Sequence, residues 1–202
     1  MPSINKSINV PMNRREALKR VAFLLGGAVS IPVMNAVLRG SPPSPRYIPQ
    51  TLDPDQFKTV TTIADLIIPA TDTPGAKEAG VGQFIDLLLT EWHPAPDRDR
   101  FLAGLADLDQ QFQQRFGKRF LDGNVQEQTE LLAKLDEEAL AARRSRVKDT
   151  PFFGMMKEMT LAGYYTSEIG ATEELQFQPA TDKFEGCIPL ERNGGRTWAE
   201  IG

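Results

Sequence analysis

The sequence has little of what most active sites are made from. Its 202 residues include one cysteine, Cys187, and one histidine, His93. A lone thiol cannot close an internal disulfide, and a single histidine leaves a zinc site of the usual kind short of ligands. No glycine-rich loop follows a strand, so neither a dinucleotide fold nor a phosphate-binding loop has support. Asp97, Asp99, Asp107 and Asp109 lack the glycine and terminal glutamate of a calcium loop, and they fit the solvent face of a predicted helix. Internal repeats are absent, and no alternating segment is long enough to argue a sheet. Positive charge is also scarce in the body. From residue 41 onward there are 17 basic and 26 acidic residues, a net of −9, which leaves no electrostatic footprint for nucleic acid.

What is present begins near the start. Asn13-Arg14-Arg15-Glu16-Ala17-Leu18-Lys19-Arg20 runs into an uncharged stretch over residues 21–38. Positive charge ahead of an apolar core is the layout of an export signal, because the charged end stays at the cytoplasmic face while the core enters the membrane. At about 18 residues the core lies at the lower edge of what spans a bilayer. Gly26, Gly27, Ser30, Pro32 and Asn35 dilute it further. It therefore reads as a removable signal rather than a permanent membrane helix or a frayed basic terminus. Ala28-Val29-Ser30 and Met34-Asn35-Ala36 both offer small residues for cleavage. Residues 1–38 are read as the signal segment, 39–51 as a proline-rich linker, and 52–202 as the folded body. The body is long enough for one domain with a sizeable core.

Within the body, apolar residues recur at helical spacing. Asp53 is an N-cap with Pro54 at the first helical position. Phe57, Val60, Ile63, Ala64 and Ile67 follow as a stripe that Pro69 ends. A second stripe is Val81, Phe84, Ile85, Leu88, Leu89 and Trp92, stopped by Pro94 and Pro96. Asp97 is expected to cap a third helix, which carries Phe101, Leu105, Leu108, Phe112 and Phe116 up to Gly117. Asn124 with Glu127 predicts a capping box ahead of Leu131, Leu132, Leu135 and Ala139. Thr150-Pro151 opens a fifth helix through Met155, Met156 and Met159 to Gly163, after which periodicity fades. The expected fold is all-α, a compact bundle-like domain of about five helices with an irregular C-terminal tail. His93 reads as a capping or surface residue, and the methionines as core filling. Cys187 is either a small buried hydrophobe or, in an oxidising compartment, half of an intersubunit bridge.

Two stretches resemble a known family. One is Ile63-Ala64-Asp65-Leu66-Ile67-Ile68-Pro69-Ala70-Thr71-Asp72-Thr73-Pro74-Gly75-Ala76, followed by Ala79-Gly80-Val81 and Phe84-Ile85-Asp86. The other is Gly163-Tyr164-Tyr165-Thr166-Ser167-Glu168-Ile169-Gly170, followed by Phe184-Glu185-Gly186-Cys187-Ile188-Pro189-Leu190. Their order, spread over nearly the whole body, is similar to the small subunit (subunit 3) of the gluconate 2-dehydrogenase type. Arg14, Arg15, Leu18 and Lys19 match the twin-arginine pattern, with departures at Asn13 and Ala17.

The resemblance implies an accessory subunit with no catalytic site and no cofactor of its own. It would bind a large flavoprotein of the glucose-methanol-choline type that carries FAD, often beside a membrane-bound multihaem cytochrome c. It would supply the export signal for that partner and work in the periplasm at the inner membrane. Membrane contact is then expected only through the signal or the complex. Tyr164, Tyr165, Glu168, Cys187 and Pro189 are the residues the resemblance places toward the partner. For the tyrosines, flat amphipathic area suits an interface, while packing of the fifth helix against the tail is an equal alternative. Two further readings stand beside this one. One is a free-standing periplasmic module that binds a small molecule between its helices. The other is an enzyme that uses scattered acids such as Asp65 and Glu168.

Overall fold

The computed structural model describes residues 47–177 and 189–199. The chain divides into two compact units, Met1–Tyr47 and Ile48–Gly202, and the second is described here. Arg14, Arg15, Leu18, Lys19 and Cys187 lie outside the described residues.

Among the described residues, five α-helices make the body, as its periodicity predicts. They are α1 (Pro54–Ile67), α2 (Val81–Leu87), α3 (Ala95–Phe116), α4 (Val125–Arg144) and α5 (Phe152–Tyr165). Local chemistry starts two of them. The Asp53 carboxylate accepts the amides of Asp55 and Gln56 at 2.9 and 2.8 Å, while Gln56 receives the Asp53 amide at 2.9 Å. Asn124 and Glu127 close the same reciprocal pair, each bond at 2.9 Å. These satisfy amides that a helix leaves without partners. Among the described residues, pairing outside helices is limited to one parallel bridge between Gln176 and Trp198. No described helix is long and apolar enough to cross a membrane.

The central element is α5, which packs on α1, α2, α3 and α4. A helix with neighbours on most sides must be apolar round most of its circumference. Accordingly Phe152, Phe153, Met155, Met156, Met159 and Tyr164 are all buried. Rings lock it to its neighbour: Phe152 meets Phe101 of α3 edge-on at 5.0 Å. Nearby, Phe112 meets Phe120 edge-on at 5.3 Å. Each such side chain contributes roughly 1.5–3 kcal/mol by leaving water.

Two expectations need correcting. Asp97 is not the cap of α3: the helix starts at Ala95 with Pro94 in the cap position, and Asp97 lies in the first turn, 3.1 Å from Arg100. Prolines are tolerated there because the first amides have no intrahelical acceptor to lose. Trp92 is not on the buried stripe but 79% exposed. Leu88–Trp92 forms a π-helical turn, closed by the His93 amide on the Leu88 carbonyl at 2.9 Å. Its extra residue rotates Trp92 off the face that α-helical spacing assigns it. The folded unit described here starts at Ile48.

Candidate functional site

That start has a cause in α2. Asp86 has no exposed surface, and its carboxylate accepts the backbone amides of Gln50, Thr51 and Leu52 at 2.8, 3.1 and 2.9 Å. Four residues on, the Thr90 hydroxyl lies 2.7 Å from that of Thr51. Three charge-assisted bonds compensate a buried carboxylate for the water it has lost. The end of the linker is thereby fastened to α2.

The two stretches that carry the resemblance, far apart in sequence, meet in space. The loop after α1 folds back on itself, with the Ala76 amide on the Ile68 carbonyl at 2.9 Å and the Gly75 amide on the Glu78 carboxylate at 2.9 Å. Gly75 is needed here for space. A Cβ there would lie 2.6 Å from the Ala70 nitrogen. Gly80 does adopt a positive φ of 74°, at the N-cap of α2.

Into this loop, the Tyr164 hydroxyl of α5 donates to the Pro74 carbonyl at 2.8 Å. The Thr73 hydroxyl donates to the Glu174 carboxylate at 2.7 Å. Glu174 belongs to a second π-helical turn, Gly170–Glu174. That turn sits close against the end of α5, since a Cβ on Gly170 would lie 2.0 Å from the Tyr164 carbonyl oxygen. The Ser167 hydroxyl bridges the two, donating to the Tyr164 carbonyl at 2.6 Å and accepting the Gly170 amide at 3.0 Å. Burial pushes the Tyr164 phenol above its ordinary pKa, with Thr73 opposing and the Glu174 carboxylate adding. The junction is a clasp that joins loop, helix and tail.

The residues assigned to a partner surface separate here. Tyr164 is 1% exposed and is a core residue whose hydroxyl is used internally. Tyr165 is exposed, edge-on to Tyr164 at 5.3 Å between ring centres. Glu168 and Pro189 are also exposed. Phe177, Leu190 and Trp198 are exposed as well, and the Gln176 amide donates to Thr197 at 2.9 Å and that of Ala199 to Gln176 at 3.0 Å. Cys187 falls outside the described residues.

Two of the aspartates have structural roles. Asp109 accepts the Phe120 amide at 2.8 Å, and Asp107 accepts from Gln111 at 2.7 Å. Asp65 is half-buried on α1 and Glu168 is exposed beyond α5. The surface grooves hold about 240, 200, 210 and 230 Å³. These are below the roughly 300–1,000 Å³ of small-molecule pockets. Asp86 and the Thr73–Glu174 pair were not assigned roles from sequence. An aspartate one residue after Ile85, inside an apolar stripe, is the signal that could have found the first.

A buried clasp, a charged anchor for an N-terminal linker and a central apolar helix define a helical scaffold protein. Its shared motifs fasten segments of backbone together. Residues 54–182 match the family described as Gluconate 2-dehydrogenase subunit 3, and the chain belongs to that family. No curated protein and no solved structure matches it. Membership in a subunit family implies a place in a multi-subunit dehydrogenase complex.

Proposed function

We propose that this chain is the non-catalytic small subunit of an exported flavin-dependent dehydrogenase acting on a sugar or sugar acid. It escorts a flavoprotein of the glucose-methanol-choline type through twin-arginine export and stabilises it in the periplasm at the inner membrane. FAD then belongs to the flavoprotein and haem c to a third, cytochrome subunit. The observation that carries this reading is the family match over residues 54–182, joined to a sequence that places Arg14 and Arg15 before an apolar core. Supporting it, the shared motifs are spent on the clasp between the loop after α1 and the end of α5. A chain that carries a partner must be folded before transport, and a body fastened at its linker and tail meets that demand.

The test is co-expression with the flavoprotein subunit. Arg14→Lys with Arg15→Lys is expected to leave both chains in the cytoplasm. Normal periplasmic flavoprotein activity beside the doubly substituted chain would end the escort reading.

A further inference from the structure

The last turn of α4 and the loop beyond it carry Arg143, Arg144, Arg146 and Lys148, all exposed. Seven other described lysines and arginines hold ion pairs; these four hold none, nor do Lys77, Arg98 and Arg196, which are scattered along the chain. The nearest acid in sequence, Asp149, is bonded instead to Arg100 at 3.3 Å. Four unpaired cations within six residues repel one another, in a body whose net charge from residue 41 is −9. The negative end of the α4 dipole accounts for Arg143 and Arg144. Arg146 and Lys148 lie past the C-cap, Ser145.

A second observation is independent of charge. The Arg146 amide donates to the Arg143 carbonyl and the Val147 amide to the Ala142 carbonyl, both at 3.1 Å. This is the double closure that ends many helices, and its left-handed residue is usually glycine. Here it is Arg146 at φ 51°, the one non-glycine residue with positive φ in the described chain. A residue kept where its side chain strains the backbone, when glycine would not, points to a use for that side chain. Beside it runs the groove of about 240 Å³ between α4 and α5, lined in part by Leu140, Val147, Pro151 and Gly154. Leu140 and Val147 are exposed by 42% and 57%.

We infer that this edge is the docking surface for an acidic segment of the large subunit. The guanidinium groups receive its carboxylates, and the groove receives an apolar side chain. Three of the four cations are arginines, whose planar fork suits paired carboxylate oxygens. An anionic bilayer fits less well, because it offers no side chain for a recess and repels a net acidic body. This rests on the small-subunit reading and names the surface that reading leaves open.

The test uses the full chain and its purified large subunit, with affinity measured at low salt and at 0.5 M salt. Charge reversal at all four positions (Arg143→Glu, Arg144→Glu, Arg146→Glu, Lys148→Glu) is expected to weaken binding by about 100-fold and flatten its salt dependence. Arg146→Gly serves as the variant whose backbone suits the position, with Tm expected to rise and binding to weaken about fivefold. Unchanged affinity and salt dependence in the charge-reversed chain overturns the inference while leaving the small-subunit reading intact. Loss of binding to phosphatidylglycerol vesicles with subunit binding unchanged, or salt-sensitive pairing with a second copy in its place, overturns it too. If the unaltered chain binds no large subunit, both readings fail together.

Discussion

The hydroxyl of Tyr164 reaches the Pro74 carbonyl across 90 residues of sequence, which makes this oxygen a direct reporter of the clasp. Tyr164→Phe removes one bond and leaves a part-buried carbonyl without its donor. The expected cost is about 1–2 kcal/mol, read as a Tm lower by roughly 2–8 °C. The phenol also sets an alkaline limit. Burial, its main perturbation, raises its pKa in the folded state, whereas the unfolded chain titrates near the ordinary value of about 10. Above that value the folded state holds a proton the unfolded state has lost, so stability falls as pH rises. Its contribution is intact below about pH 10 and is lost as pH climbs through the raised folded value. Tm measured from pH 8 to 11 should drop more steeply for the native chain than for Tyr164→Phe. Parallel curves would mean that the ring is not desolvated as described.

Among elements, the start of α4 shows what sequence can specify alone. Asn124 and Glu127 exchange bonds within one turn, so their types and spacing predict the contact before any tertiary structure exists. The Lys118 ammonium, 2.7 Å from the Glu127 carboxylate, together with the Asn124 amide holds that carboxylate below its usual pKa. A depressed folded value stabilises above the ordinary pKa of about 4.3 and is lost as pH falls through the folded one. Lys118→Met is therefore expected to lower the urea-unfolding midpoint slightly at pH 7, by an amount that shrinks as pH falls through the Glu127 titration. A midpoint that stays put would show the pair contributes nothing.

The same locality explains what was illegible. Stripes and caps place α1 to α5, but the π-helical turn at Leu88–Trp92 depends on how α2 meets its neighbours. Trp92 was accordingly assigned to the wrong side. At the site, two motifs were readable as motifs, yet the partner of Tyr164 was not. A tyrosine's spacing says which face it occupies and not which carbonyl waits there. The Arg143-to-Lys148 run was readable as charge; its unpaired state and the strained Arg146 needed coordinates.

For the molecule as a whole, the question is where the folded body begins. Composition draws the boundary at Leu52, because prolines dominate what precedes it. Asp86 draws it earlier, by holding the amides of Gln50, Thr51 and Leu52 in a site with no exposed surface. A chain shortened to begin at residue 48 keeps all three donors, and its stability should match that of any longer form with the signal removed. One shortened to begin at residue 53 takes three amide donors from a buried carboxylate. Losing hydrogen bonds to a buried charge costs about 1.5–3 kcal/mol, enough to lower Tm by roughly 3–12 °C. Replacing Asp86 by Ala in the shorter chain removes the carboxylate that has lost those donors and should recover part of that loss, whereas in the longer chain the same change should only destabilise. This opposite sign separates an anchor from a residue that merely fills space: equal losses in both backgrounds would mean the linker contributes no bond that matters. It also fixes a constraint on export. Cleavage at Ala28-Val29-Ser30 or at Met34-Asn35-Ala36 leaves the anchor whole, so removal of the signal and stability of the body are compatible by construction.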